Sequence, residues 1–429
     1  MTSGQIQGAE QSPRETDRTS AQQWRDFRKL LAGQAVAQLG TAVTVVALPM
    51  LAVLQLGATP LHVGMITGAE YVAYTVLGLL AGIYVDRWSR RRAMITCDLA
   101  RAVVVGMLPV LAIAGALRIW HLVLAALLIG IFSLVFDTAH QAYLPQVVSR
   151  DKLVSCNSQL QGVHSVARLA GPGAGGVIVQ SLGGAVALGL NAVTYLVSLV
   201  FISNIRSVTE THRCDSDKTA DRSIRREIVE GLRYIRNDKI LVSFLASIVH
   251  FNTVITAQTA LFVIFLLHTV DAPPAIVGFL MASMGVGAVG GAVVAQRLAS
   301  WLGIGPAMVI GAVVGPLLGL LIPFTYGGIG LVLFVVGGIA VGATTTILKV
   351  VGQSYRQAVV PPHLLGRVVA TIRTITWGPL PVAGLLGGVL GELLGPRLAL
   401  LLLALVLAMA PAWLAMTPVW KLRTFGDPT

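Results

Sequence analysis

Twelve long apolar stretches run through the 429-residue chain and constrain its fold more than any motif does. Each is long enough to cross the hydrocarbon core of a bilayer as a helix, which takes about 20 residues. Their predicted bounds are 30–55, 61–84, 93–115, 120–144, 156–180, 184–204, 240–268, 275–298, 304–325, 329–351, 366–391 and 397–417. A transmembrane β-barrel would instead show short segments of alternating hydrophobicity. The pattern therefore predicts an all-α, polytopic membrane protein with twelve transmembrane helices.

The composition excludes several other classes of protein. Hydrophobic residues make up 55% of the chain and charged residues 12%, about half of what a soluble domain carries. This excludes a soluble enzyme, a disordered chain and a secreted disulfide scaffold. Cys97, Cys156 and Cys214 show no metal-binding or disulfide-type spacing. Two Gly-x-Gly-x-x-Gly runs, 171–176 and 285–290, lie inside apolar stretches without a preceding strand, so no nucleotide site is predicted. We expect no cofactor and no metal.

The basic residues predict the orientation in the membrane. Of the 31 Lys and Arg residues, 25 fall in the tails and loops on the side of the two termini, 2 in the opposite loops and 4 inside spans. Because cytoplasmic loops collect Lys and Arg, this split places both termini in the cytoplasm of a multi-pass cell-membrane protein. It also explains the net charge of +12 without nucleic acid as a partner. The polar first 29 residues lack the apolar core of a signal peptide and are expected to form a cytosolic tail.

The spans divide into two sets of six around a charged stretch near the midpoint. The expected organisation is listed in chain order: an N-terminal tail (1–29), an N-terminal six-helix bundle (30–204), a cytoplasmic central loop (205–239), a C-terminal six-helix bundle (240–417) and a C-terminal tail (418–429). The central loop is expected to end in an amphipathic helix with Ile224, Ile228, Leu232 and Ile235 on one face.

The two sets resemble each other at a fixed offset of 212 residues. Tyr143, Val147, Val148, Leu153, Gly175 and Gly176 recur as Tyr355, Val359, Val360, Leu365, Gly387 and Gly388. The common offset favours a pseudo-symmetric pair of six-helix bundles. Parallel halves around a midplane cavity are the architecture of secondary transporters that work by alternating access. The expected partners are the lipid bilayer, a small-molecule substrate and protons, and a monomer is the expected state.

The loop after span 2 carries the most specific motif. Its sequence, Gly82-Ile-Tyr-Val-Asp86-Arg87-Trp-Ser-Arg90-Arg91-Arg92, resembles the signature loop of the major facilitator superfamily, with Ser89 in place of a usual glycine. The resemblance implies a cytoplasmic latch in which Asp86 pairs with the arginines and with a neighbouring helix N-terminus. In that family an acid in span 4 joins the latch, and Asp137 holds that place here. The alternative is a basic cytoplasmic loop with no further role.

Span 5 carries a second motif, Gly171-Pro172-Gly173-Ala174-Gly175-Gly176. It resembles the Gly-Pro-x-x-Gly-Gly motif of the antiporter branches of the same superfamily, which implies export. Pro172 removes a backbone hydrogen bond and bends a helix, and glycines such as Gly171, Gly175 and Gly176 let a neighbouring backbone approach closely. Ordinary close packing of helices is the alternative. Span 11, its equivalent by offset, carries Gly378-Pro379.

The resemblance extends over about residues 25–415 and is to the macrolide-efflux and enterobactin-exporter branch of the superfamily. It is carried by Phe27-Arg28-Lys29-Leu30, Gln38-Leu39-Gly40, Ala47-Leu48-Pro49, Asp98-Leu-Ala-Arg101 and Tyr143-Leu-Pro145 with Leu153 and Asn157. The resemblance implies proton-coupled export of amphipathic molecules such as antibiotics or siderophores.

Ionisable residues inside spans are costly and indicate function. Glu70 and Asp137 are the candidates for proton coupling, because a buried carboxyl group can carry a proton; Glu70 could instead neutralise an arginine. The candidates for the substrate cavity are Glu70, Arg168, His250, Asn252, Lys349, Arg373 and Trp377. Structural roles in helix packing are the alternative for each. Asp98 and Arg101, three residues apart, are predicted to form a local ion pair.

These observations favour a proton-coupled exporter of amphipathic drug-like or natural-product molecules. An importer, or an uncoupled facilitator of a small molecule, is the alternative within the same class. A non-transporting membrane sensor would not need paired bent helices and buried charges. An enzyme is disfavoured because no nucleophile and base stand in a catalytic arrangement.

Overall fold

A computed structural model describes residues 13–78, 88–149, 152–205, 224–417 and 420 of the chain. Every regular element within these residues is helical. The helices of the N-terminal half are α1 (Pro13–Leu56), α2 (Pro60–Val76), α3 (Arg90–Ile113), α4 (Ile119–Val147), α5 (Leu153–Leu182) and α6 (Gly184–Ser203). An amphipathic helix follows, α7 (Ile224–Asn237).

The C-terminal half repeats this pattern of helices. Its elements are α8 (Lys239–Ile264) with a π-turn (Phe265–Thr269), α9 (Pro274–Leu302), α10 (Ile304–Gly319), α11 (Leu331–Val359), α12 (Pro362–Trp377), α13 (Leu380–Leu394), α14 (Pro396–Ala408) and α15 (Pro411–Ala415). We call the end of the molecule where α1 begins the near face, and the end where α1 gives way to α2 the far face.

Helices occupy all twelve predicted places, which confirms the all-α, polytopic fold. Among the described residues, ten helices are long and apolar enough to cross a membrane. The other two places are held by α2, of which 17 residues are described, and by the 30-residue α5, which carries more polar side chains. Span 11 is divided between α12 and α13 at Gly378 and Pro379, whereas α5 continues through Pro172.

The first helix begins earlier than the first predicted span. The stretch assigned to a polar tail is helical from Pro13 onwards. Asp26 is buried and accepts hydrogen bonds from Gln22 Nε2 (3.0 Å) and Lys29 Nζ (3.3 Å), so side-chain pairs three and four residues apart support the helix. Phe27, fully buried beside them, anchors this segment to the near face of the N-terminal half.

Each half is held together by its own helix pairs. In the N-terminal half α1 packs on α5 and α6, α3 on α4 and α6, and α2 on α4. In the C-terminal half α11 packs on α9 and α10, and α8 on α13 and α14. Between the halves, the closest pairs are α5 with α9 and α2 with α13. These two helix crossings set the relative position of the side chains at the interface between the halves.

The predicted amphipathic helix α7 docks on the near face of the C-terminal half. Ile235 is buried in the hydrophobic core, and the Tyr234 hydroxyl donates to the Val359 carbonyl oxygen over 3.1 Å. Arg367 Nη1 donates to Glu230 Oε2 over 2.6 Å. The charged connection between the halves thus ends in a helix that is fixed to α11 and α12.

Candidate functional site

The span-5 glycine motif lies where three helices meet. A Cβ added at Gly175 would lie 3.1 Å from the Val43 carbonyl oxygen of α1, and one at Gly171 would collide with Ala42. Gly176 faces the other half, where an added Cβ would lie 2.8 Å from Gly278 Cα of α9. The close backbone approach that the motif predicts is therefore present, both within the half and across the interface.

The second crossing between the halves repeats the first. A Cβ added at Gly388 of α13 would lie 2.9 Å from Gly64 Cα of α2. One added at Gly64 would lie 2.7 Å from the Gly384 carbonyl oxygen. The glycine contacts Gly176–Gly278 and Gly64–Gly388 both lie towards the far face, so the two halves are closed against each other on that side.

A cavity of about 110 Å³ lies between the halves beneath these crossings. We call it the central cavity. The side chains that line it come from α1, α2, α4 and α6 in one half and from α8 and α9 in the other; they include Thr41, Thr44, Thr67, Glu70, Tyr71, Tyr195, Thr259 and Met281. Its lining combines apolar surface with hydroxyl groups and one carboxyl group, a composition suited to an amphipathic ligand.

Glu70 supplies that carboxyl group. Within the described part of the chain, its side chain has neither an ion-pair partner nor a hydrogen bond. A charged carboxylate without a partner is costly at membrane depth. Among the described residues, the Glu70 carboxyl group is therefore available to accept a proton or to bind a cationic group.

Asp98 and Arg101 form the predicted local ion pair, which the structure confirms. The pair is buried, and the Arg101 guanidinium lies between the rings of Phe136 (4.4 Å) and Tyr195 (4.5 Å). The Tyr195 hydroxyl lies 2.9 Å from Thr41 Oγ1, which lines the central cavity. The ion pair is thus connected to the cavity through an aromatic side chain.

A second cavity of about 240 Å³ opens between α2, α4 and α12, nearer the near face. Trp377 packs on Tyr74 with 4.5 Å between ring centroids, and the Arg373 guanidinium lies 5.2 Å from the Trp377 ring. The Tyr74 hydroxyl lies 3.5 Å from Asp137 Oδ2. Tyr74 and Asp137 of the N-terminal half therefore meet Arg373 and Trp377 of the C-terminal half here.

The described arginines of the signature loop bind within the N-terminal half. Arg90 Nη1 donates to the Ala142 carbonyl oxygen of α4 (3.0 Å), and Arg91 Nε to the Ile202 carbonyl oxygen of α6 (3.2 Å). Arg92 is exposed at the start of α3. Such bonds satisfy carbonyl groups at helix C-termini. Gly82, Asp86 and Arg87 lie outside the described residues.

The remaining described candidates are not among the residues that line the central cavity. His250 Nε2 bonds the Val406 carbonyl oxygen (2.7 Å), and its Nδ1 accepts from Trp413 Nε1 (3.4 Å). These two bonds join α8 to α14 and α15. Asn252 and Lys349 meet at a small cavity between α8 and α11. Arg168 is exposed on α5, beside the crossing with α9.

Several cavity residues escaped the sequence reasoning. Thr67, Tyr71 and Tyr74 lie three residues before, one after and four after the predicted Glu70 on α2, so all four residues share a face of the helix. That spacing alone marks a polar stripe around Glu70. The threonines of α1 and α8 carry no comparable signal, because hydroxyl groups in spans commonly bond their own helix.

The family described as transmembrane secretion effector matches residues 20–425 of the chain. The multidrug efflux pump Tap of Mycolicibacterium fortuitum is 28% identical over 382 residues, which cover 84% of this chain and 87% of the relative. Macrolide efflux protein A of Streptococcus pyogenes is 25% identical over 224 residues, 51% of this chain and 53% of the relative. The predicted resemblance to the efflux branch of the superfamily is thereby confirmed.

Solved structures show the same fold. The crystal structure of the nucleoside transporter NupG superposes with a TM-score of 0.74 at 15% identity and covers 91% of this chain and 98% of its own. A bacterial homologue of the iron transporter ferroportin, in an inward-facing state, gives a TM-score of 0.71 at 14% identity, with 92% and 98% covered.

Proposed function

The chain belongs to the transmembrane secretion effector family of major facilitator transporters, and from this premise we propose that it exports amphipathic drug-like or natural-product molecules in exchange for protons. The observation that carries the proposal is Glu70, a carboxyl group that has no partner among the described residues and lies in a cavity that both halves line. Efflux as the direction is supported by the two relatives, a multidrug efflux pump and a macrolide efflux protein.

Alternating access follows from the size of the central cavity. Pockets for drug-sized ligands hold about 300–1,000 Å³, whereas the central cavity holds about 110 Å³. A drug-sized molecule therefore enters only after the halves separate on one side. We propose that the N-terminal bundle (30–204) and the C-terminal bundle (240–417) rock as two bodies around it, with a single chain sufficient for transport.

The proposed orientation places the near face in the cytoplasm, in agreement with the distribution of basic residues. The cavity at Tyr74, Arg373 and Trp377 then lies on the cytoplasmic approach to Glu70. We propose that its aromatic pair receives the apolar part of a substrate before the substrate reaches the central cavity. The loop arginines and Asp86 are proposed to latch this face when it closes.

Proton exchange at Glu70 explains coupling in physical terms. A proton that arrives from the outside neutralises the carboxyl group, so the empty cavity can return through the apolar membrane. Substrate that arrives from the cytoplasm displaces that proton. The proton and the substrate therefore exclude each other from Glu70, and the substrate moves outward in exchange for inward movement of the proton.

The experiment uses inverted membrane vesicles with an acidic lumen and a pH-sensitive dye. A panel of macrolides, dyes, siderophores and other amphipathic compounds is added one at a time. We expect at least one compound to dissipate the gradient in wild-type vesicles and not in Glu70→Gln vesicles. Asp271→Asn is the matched control, because Asp271 lies in an exposed far-face loop at a backbone φ of 56° that asparagine also adopts.

Two results would refute the proposal. A compound that dissipates the gradient equally in wild-type and Glu70→Gln vesicles would remove Glu70 from coupling. Accumulation of a compound in the vesicle lumen that is unaffected by collapse of the gradient would indicate an uncoupled facilitator.

A further inference from the structure

The far face carries two polar contacts between the halves. Gln180 near the end of α5 accepts a hydrogen bond from the Ala275 N–H of α9, 3.0 Å from its Oε1. Glu392 near the end of α13 accepts one from the Leu61 N–H of α2, 3.3 Å from its Oε2. Each contact therefore joins a side chain of one half to the N-terminus of a helix in the other.

The two contacts are equivalent by sequence as well as by geometry. Glu392 stands 212 positions after Gln180, the same offset that relates the two halves. Both receiving helices begin with proline, Pro60 in α2 and Pro274 in α9, and the bonded N–H belongs to the next residue. The pseudo-symmetry of the halves therefore extends to individual hydrogen bonds.

The proline at each helix start explains why a partner from the other half is used. Proline has no N–H, so Leu61 and Ala275 carry the first unpaired donors of their helices. The residue before α9 is Pro273, which has no side-chain acceptor to cap the helix locally. Before α2, the Thr59 hydroxyl lies 3.1 Å from His62 Nδ1. In both cases the acceptor comes from across the interface.

The close glycine crossings bring these groups together. Gly176 lies four residues before Gln180 on α5 and packs on Gly278 of α9, four residues after Pro274. Gly388 lies in the same relation to Glu392, and Gly64 to Pro60. One helical turn thus separates each glycine contact from its hydrogen bond, so the bond forms only while the glycines touch.

We infer that Gln180 and Glu392 are a matched pair of gate residues, each of which holds the far face closed by capping a helix of the opposite half. Both bonds lie at the exposed rim. Water replaces either acceptor when the halves part, so the gate opens without leaving a buried donor unpaired.

The inference rests on alternation between two conformations, as the proposed function requires, and needs neither a known substrate nor proton coupling. The test is labelling of a cysteine in the central cavity. Thr67→Cys is introduced in a chain whose three cysteines are replaced by alanine, and a membrane-impermeant maleimide is applied to intact cells or to inverted vesicles. Labelling through the far face then reports how often that face is open.

We expect Gln180→Ala and Glu392→Ala each to raise far-face labelling by about fivefold, the effect of losing one helix cap, and to lower near-face labelling. The variants Gln180→Glu and Glu392→Gln keep an acceptor oxygen and should label as the parent does. Ser181→Ala and Leu393→Ala are matched controls at the adjacent exposed positions.

Unchanged labelling in the double variant Gln180→Ala/Glu392→Ala would overturn the inference, and so would an equal rise in the two controls. If an alanine variant fails to fold, Glu392→Gln is compared with Glu392→Met, which has a similar size but no acceptor oxygen. Equal labelling of these two would also overturn it. Loss of transport with normal gating would count against the proposed function alone.

Discussion

Replacement of Gly278 by alanine tests whether the glycine crossings close the far face. An added Cβ would collide with the Pro172 carbonyl oxygen and would lie 2.9 Å from Gly176 Cα. Carbon atoms in contact prefer about 3.5–4.0 Å, so α5 and α9 must separate by roughly 1 Å. The substitution leaves helix formation intact, because alanine favours a helix more than glycine does.

The magnitude follows from the cost of overpacking, about 1–3 kcal/mol. The gain in helix propensity is present in both conformations and cancels, whereas the collision exists only while the far face is closed. The ratio of far-face-open to far-face-closed molecules should therefore rise about 5- to 150-fold.

The assay is a distance measurement between spin labels at Ile113→Cys and Ile329→Cys, both highly exposed and on the far face of opposite halves. We expect Gly278→Ala to shift the distribution towards longer distances. Gly290→Ala is the matched control, because Gly290 lies on the same helix and an added Cβ there meets no atom within 4 Å. The same distribution for Gly278→Ala and Gly290→Ala would refute the reasoning.

Two further predictions concern stability and the docked helix. Arg101→Leu should destabilise the protein by about 3–5 kcal/mol because it leaves the buried Asp98 side chain without its ion-pair partner. A double variant that replaces both residues by leucine should recover much of the loss, as measured by thermal unfolding in detergent. Glu230→Gln should change the free energy of unfolding by no more than about 1 kcal/mol, since its ion pair with Arg367 is exposed. Gly231→Leu should instead detach α7, because a side chain there collides with Thr371. Limited proteolysis of the connection between the two halves detects the detached helix, and equal digestion of the two variants would contradict the prediction.

The membrane spans were predictable because their signal is local. Length and apolar composition place most span ends to within a few residues, although α1 begins at Pro13 and α11 ends at Val359, outside the predicted 30–55 and 329–351. The Gly171–Gly176 motif predicts a close helix contact that the structure shows at Gly278. The ion pair of Asp98 and Arg101 was also accessible, because residues three apart on a helix meet whatever the tertiary structure is.

Contacts between helices were less accessible from the sequence. Periodicity in an apolar span does not indicate which face meets the cavity, so Thr41 and Thr259 were not foreseen. The bond between Leu61 and Glu392 joins residues 331 apart in sequence and depends on how two helices cross. An arginine such as Arg91 bonds whichever carbonyl groups the fold brings near, here those at the end of α6.

The most direct test of proton exchange is proton release on substrate binding. A compound found in the vesicle assay is added to purified protein in weakly buffered detergent, and a pH indicator follows the proton concentration. If the substrate displaces a proton from Glu70, wild-type protein and Asp271→Asn acidify the solution, while Glu70→Gln binds the compound without acidification. Equal acidification by Glu70→Gln, or binding to wild-type protein without any release, would contradict the account.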